Sequence, residues 1–123
     1  MMKNLEDRVV IVTGGSGGIG IVVSELMANR GAHVVLAELD GERAELEARR
    51  LRDEGLKATA IQTDVADRES VASMVSTITA QLGRIDGLVN NAAMFSRAPM
   101  SRVGSLDITE ADWDKMMEIN VTG

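Results

Sequence analysis

Cysteine is absent from the 123 residues and histidine occurs once, at position 33. No disulfide framework or thiolate metal site can form, and a zinc centre is disfavoured, so no metal ligand is assigned. Tyrosine is also absent, leaving Phe95 and Trp113 as the aromatic side chains. Unpaired bases therefore have almost nothing to stack on, and a net charge of −6 repels a phosphate backbone, which argues against nucleic acid as a partner. Uninterrupted apolar runs of membrane-spanning length are missing, and MMKNLEDRVVIV carries no long apolar stretch behind Lys3. Neither a membrane span nor a signal peptide is expected, and a reducing cytoplasm suits the lack of cysteine. What is present is 45% hydrophobic, enough for one soluble domain spanning residues 1–123 with a modest core.

Apolar strands and amphipathic helices alternate along the chain. The nearly continuous Arg8–Val12 stretch (RVVIV) predicts a strand covered on both faces. Ile19, Val22, Val23, Leu26 and Met27 then recur at helical spacing, as the buried stripe of a helix closed near Gly31. His33–Ala37 reads as a second strand, with His33 exposed at its mouth. Asp40 or Gly41 opens a charged helix running to about Glu54 and ended by Gly55; its interleaved Glu and Arg residues predict a solvated face. Ala58–Gln62 is a third strand. Asp67 caps a third helix with Val71, Met74, Val75, Ile78 and Leu82 buried and Gly83 at its end. Ile85–Val89 is a fourth strand, residues 94–107 read as loop, and Thr109-Glu110-Ala111-Asp112 resembles a capping box. Trp113, Met116 and Met117 in the helix it opens suit packing onto the sheet or against a partner subunit, with core packing the favoured reading. Repeated strand-helix-strand units imply an α/β fold, a doubly wound parallel sheet with helices on both faces.

The stretch TGGSGGIG, residues 13–20, joins the first strand to the first helix with five glycines in eight residues. Such a turn lets a phosphate approach the first amides of a helix, where the dipole favours an anion. Gly15, Gly17 and Gly20 fit one dinucleotide-binding register, GxGxxG; Thr13, Gly14, Gly18 and Gly20 fit another, TGxxxGxG. A turn that merely connects two elements remains the plain alternative. No GKS or GKT follows, which disfavours a nucleoside-triphosphate loop. Glu38, closing the second strand, stands where a carboxylate accepts the hydroxyls of an adenosine ribose and repels a 2′-phosphate. Residues 13–20 hold no Arg or Lys and Leu39 follows Glu38, so NAD is favoured over NADP.

Two further motifs lie at strand ends: Asp64-Val65 after the third and Asn90-Asn91-Ala92-Ala93 after the fourth. With them the chain, from Asp7 to Gly123, resembles the short-chain dehydrogenase/reductase family. That resemblance implies a Rossmann-type sheet of strand order 3-2-1-4, truncated relative to the family, and selects the TGxxxGxG register. It implies that Gly14, Ser16, Gly17, Gly18, Ile19 and Gly20 line the dinucleotide. Glu38 would hold the ribose, Asp64 and Val65 the adenine, and Asn91 and Ala92 would lie beside the cofactor ribose, with Asn90 and its neighbours bracing the sheet. Ala93 stands in place of the motif's final glycine. In Ile119-Asn120-Val121-Thr122-Gly123, Asn120 matches a mid-helix asparagine whose backbone carbonyl serves a proton relay, and it is the one catalytic candidate.

The resemblance also implies a tyrosine, a lysine four residues after it and a serine that follow the asparagine, and these 123 residues do not supply that set. The chain alone is therefore expected to bind a dinucleotide without turnover, and to be of low stability with its fourth strand at an edge. In a complete enzyme the substrate would be a small alcohol or ketone, and the family pattern suggests a homo-oligomer. Two functions stay open: the cofactor-binding portion of an NAD-dependent oxidoreductase, or a non-catalytic dinucleotide-binding or interaction module.

Overall fold

The computed structural model of the chain describes residues 4–94, 104 and 106–123. Strands β1 (Val9–Thr13), β2 (His33–Glu38), β3 (Lys57–Gln62) and β4 (Gly87–Val89) pair in parallel in the order β3-β2-β1-β4. β1 is buried along its whole length because both sheet faces are covered. Val10 and Val12 face one side with Val34 and Leu36, against Ala28 of helix α1 (Ile19–Asn29) and Ala44, Ala48 and Leu51 of helix α2 (Gly41–Asp53). Val9 and Ile11 face the other with Val35 and Ala37, against Met74 and Ile78 of helix α3 (Arg68–Leu82). The period-two alternation of strand side chains thus builds two cores from one apolar run.

Helix boundaries follow local chemistry. Asp40, Asp67 and Thr109 cap α2, α3 and helix α4 (Glu110–Met117), their side chains accepting from the amides of Arg43, Glu69 and Asp112. α3 ends at Gly83 in the left-handed conformation. α4 passes into a π-helical turn, Glu118–Thr122.

Several expectations are corrected. In α1 the residues driven against the sheet are the small ones, Gly20, Ser24 and Ala28. Val23 and Met27 are half-buried, whereas Ile19, Val22 and Leu26 are exposed. Small side chains at i, i+4 and i+8 let the helix backbone settle closely on the strands, and the Ser24 hydroxyl donates to the Gly15 carbonyl at 3.2 Å. A pattern scored on hydrophobicity selects a neighbouring face of larger side chains, of which Val23 and Met27 pack against the core. In α3, Val75 likewise points outward.

β4 begins at Gly87 rather than Ile85, and Asp86 just before it bonds Val9 through both main chain and side chain, its amide donating to the Val9 carbonyl at 2.8 Å. Its carboxylate accepts the Val9 amide at 2.8 Å and is held by Arg84, filling the place of a ladder partner. Trp113 is 54% exposed and no residue of α4 is buried, so the core packing expected of that helix is not found. His33 is half-buried rather than exposed, its Nε2 lying 2.7 Å from the Thr59 hydroxyl across β2 and β3. Most of the loop expected over 94–107, with Phe95, Ser96, Pro99, Ser101 and Ser105, lies outside the described residues. Among the described residues no helix is long and apolar enough to cross a membrane.

Candidate functional site

In a parallel sheet every strand ends at the same edge, so the segments after β1, β2, β3 and β4 gather there. Thr13, the last residue of β1, is 5% exposed and organises the centre of that edge. Its Oγ1 accepts the amides of Asn91 and Ala92, both at 3.0 Å, and donates to the Val89 carbonyl at 3.3 Å. Asn91 answers in kind, its Nδ2 donating to the carbonyls of Thr13 at 3.1 Å and Gly14 at 3.2 Å. One hydroxyl and one amide side chain thereby lock the β4 exit onto the start of the glycine turn. The bracing expected of Asn90 and its neighbours is carried by Asn91 and Ala92. Ala93 is exposed, so the methyl it adds over glycine meets no crowding from the core.

The turn itself is tightly built. Gly14 has φ +64°, and a Cβ there would stand 3.0 Å from the Ala92 Cα. A Cβ on Gly20 would fall on the Gly14 carbonyl oxygen and lie 2.7 Å from the Asn91 Nδ2. These positions require glycine for close backbone approach. Ser16 is 1% exposed; its hydroxyl donates to the Glu38 carboxylate at 3.0 Å, and its amide approaches the same oxygen at 3.4 Å. Glu38 at the end of β2 is thus aimed at the glycine turn. Gly17 and Gly18 complete the rim, and the side chain of Ile19 projects outward.

The N-terminus of α1 differs from those of the other helices. It has no side-chain cap and no acidic residue in its first turn, whereas α2, α3 and α4 have both. The amides of Gly18 and Ile19 find no hydrogen-bond acceptor among the described residues. Uncapped amides and an unopposed dipole at the mouth of the turn match the demand of a pyrophosphate, and the nearby carboxylate matches that of ribose hydroxyls. The residues present fit a dinucleotide.

Asp64 and Val65 stand one strand further out. The Asp64 carboxylate accepts the Ala66 amide at 2.9 Å, and its own amide donates to the Ser70 hydroxyl at 2.9 Å. No hydrogen bond joins this pair to the glycine turn among the described residues. Asn120 lies in the π-helical turn, where its side-chain oxygen accepts the Met94 amide at 2.8 Å. A Cβ at Gly123 would stand 2.9 Å from the Val65 carbonyl oxygen, so the end of that turn closes against the β3 exit.

Two residues escaped the sequence reading. Thr13 was matched as a motif letter, but its bridging role depends on β4 lying beside β1. Arg43 belongs to the run whose interleaved Glu and Arg residues predict only a solvated face. It lies in the first turn of α2, three residues after the cap Asp40, and its guanidinium packs within 3.4–3.7 Å of the Cβ position of Gly17. Its place in the first turn of a helix opening at the binding edge was the available signal.

A family model described as short chain dehydrogenase matches residues 8–123. An oxidoreductase of Thermotoga maritima is 40% identical over 119 residues, covering 97% of this chain and 44% of the relative. The cis-4-hydroxycyclohexanecarboxylate dehydrogenase of Sinomonas cyclohexanicum is 40% identical over 123 residues, covering 100% of this chain and 47% of the relative. The crystal structure of gox2181 superimposes with a TM-score of 0.90 at 36% identity, covering 98% of this chain and 45% of that one. The chain spans about half the length of the curated relatives it matches.

Proposed function

The chain belongs to the short chain dehydrogenase family, and from that premise we propose that residues 1–123 form the dinucleotide-binding domain of an NAD-dependent oxidoreductase acting on a small secondary alcohol or the matching ketone. One observation carries the proposal. The only α-helix among the described residues without a side-chain cap opens at the glycine turn, with two free amides, a carboxylate and no acidic residue in its first turn. The relative from Sinomonas cyclohexanicum, named for a hydroxycyclohexane substrate, supports the choice of alcohol.

The parts divide by chemistry. The amides of Gly18 and Ile19 receive the pyrophosphate, and Gly14, Gly17 and Gly20 let it approach the backbone. Glu38, oriented by Ser16, accepts ribose hydroxyls and disfavours a 2′-phosphate. Asp64 and Val65 border the adenine, and Asn91 and Ala92 border the second ribose. A nicotinamide dinucleotide held by these residues would supply the hydride-transfer chemistry. Asn120 sits in a π-helical turn, and its backbone carbonyl would hold a water for proton transfer, as the family resemblance implies. The side-chain bond from Asn120 to the Met94 amide orients that turn.

Titration of NADH by fluorescence, in wild type and in Glu38→Ala, tests the binding reading: saturable binding weakened by the substitution is expected, and absence of binding would overturn it.

A further inference from the structure

An open groove of about 840 Å³ runs between α2 and β3, the outer strand of the sheet among the described residues. Glu42, Leu46 and Arg49 line it from α2 and are all exposed, Leu46 by 68%. Residues at i, i+4 and i+7 share one helix face, so an exposed leucine stands between a carboxylate and a guanidinium on a single stripe. Neither charge is used: Glu42 and Arg49 form no salt bridge among the described residues. At a helical rise of about 1.5 Å per residue they stand about 10 Å apart along the axis, too far to pair with each other. The other charges at the groove are engaged, since Asp40 caps α2 by accepting the Arg43 amide and Glu45 is paired with Arg52 at 2.6 Å. Arg52 also donates to the Ala58 carbonyl at 3.0 Å and so covers an acceptor of β3, which disfavours a strand adding there and leaves the helix as the docking element.

We propose that this face of α2 is a self-association surface for a second copy of the chain, the two α2 helices packing antiparallel about a twofold axis at Leu46. The charge pattern selects that occupant. A stripe with one free charge of each sign on either side of an apolar residue is its own complement when reversed end to end, which is what a twofold interface demands. Glu42 then meets the partner's Arg49, Arg49 meets the partner's Glu42, and Leu46 is buried against the partner's Leu46. A uniformly basic or acidic peptide would match one half of the stripe and be repelled by the other. One helix face is small beside the interfaces of stable dimers, so the association is reversible, with a Kd on the order of 10 μM. Glu42, Leu46 and Arg49 lie outside the dinucleotide site described above, so this surface stands or falls apart from that reading.

The test is sedimentation velocity of the full chain over a micromolar concentration series, in wild type, Leu46→Glu, Glu42→Arg, Arg49→Glu and the Glu42→Arg/Arg49→Glu double variant, with circular dichroism as a check on folding. Wild type should pass from monomer to dimer as concentration rises. Leu46→Glu and each single charge reversal place like charges or a buried carboxylate at the contact and should weaken the dimer about tenfold or more. The double reversal exchanges the two signs, restores both pairs and should return the Kd to within about threefold of wild type. A residue that served only the fold of α2 would show no such recovery. Because the chain has no cysteine, Leu46→Cys introduces a single thiol on the proposed axis. Under mild oxidation it should form a disulfide-linked dimer faster than Val22→Cys, a control on α1 where the native side chain is 65% exposed. A wild type that stays monomeric throughout the series overturns the proposal. A dimer indifferent to the charge reversals, a double variant no better than the single ones, or equal cross-linking at positions 46 and 22 overturns it as well, and places any association on another face.

Discussion

Replacing Thr13 with valine keeps the shape of the side chain and deletes one oxygen, so it isolates the hydroxyl that joins β1 to the β4 exit. The oxygen takes part in three hydrogen bonds, accepting from Asn91 and Ala92 and donating to Val89. At a net value of about 1 kcal/mol each, their loss costs about 3 kcal/mol. The half-buried amides of Asn91 and Ala92 recover part of this from water, and the added methyl returns up to about 1 kcal/mol of burial. The expected net cost is about 2 kcal/mol, a large share of the roughly 5–15 kcal/mol that holds a domain folded. Thr13→Ser is the control: it keeps the hydroxyl and removes one methyl, costing about 1 kcal/mol. The predicted order of stability is therefore Thr above Ser above Val. A rule based on apolar burial alone predicts Val at least equal to Thr and Ser lowest. Urea denaturation followed by circular dichroism measures the order, read from midpoints at unchanged slope. A valine variant as stable as wild type, or more stable than the serine variant, refutes the bridging role of Thr13.

Three further outcomes follow from the same geometry. Gly20→Ala places a methyl on the Gly14 carbonyl oxygen, and either the helix or the glycine turn must move. A loss of about 3 kcal/mol or more is expected in urea melts, and a near-neutral variant would show that the contact relaxes freely. Asn91→Asp turns an acceptor-only carboxylate toward the carbonyls of Thr13 and Gly14 in place of two donated bonds. It should destabilise more than Asn91→Ala at pH 7, and the gap should narrow at acid pH as the carboxylate protonates; equal melts at pH 7 would refute this. His33 has its pKa pushed below the usual 6.5, first by burial and then by Lys57. The folded state thus favours neutral imidazole. Its contribution is present above pH 6.5 and is lost as pH falls toward the folded pKa, so stability should decline on acidification from pH 7 and that part of the decline should be absent in His33→Gln. An identical pH slope in the variant would remove His33 from the account.

Much of the arrangement was legible because it rests on short-range chemistry. Asp40, Asp67, Thr109 and Gly83 mark helix ends through bonds made within a few residues, and each is found where the sequence put it. The parallel sheet followed from alternating strands and helices, since parallel neighbours need crossovers. Apolar residue size misled the reading of α1, because a helix pressed against a glycine turn needs small residues at the contact rather than large ones. α4 misled it differently: Trp113 and Met117 are apolar but exposed, and periodicity alone does not say whether a partner surface is present. The late start of β4 was hidden because the Asp86 carboxylate accepts the Val9 amide just before the strand begins.

By itself, then, the sequence determined which segments form strands and helices, which side chains cap α2, α3 and α4, and that glycines rather than bulky residues join β1 to α1. Those properties depend on backbone preference and on hydrogen bonds between near neighbours. The tertiary structure alone decided which distant groups meet: Thr13 with Asn91 and Ala92, Ser16 with Glu38, Arg43 over Gly17, and Asn120 with Met94. These pairs come together only when the sheet order brings the ends of separate strands to one edge, and charge or hydrogen-bond complementarity across such distances leaves no local pattern in the chain.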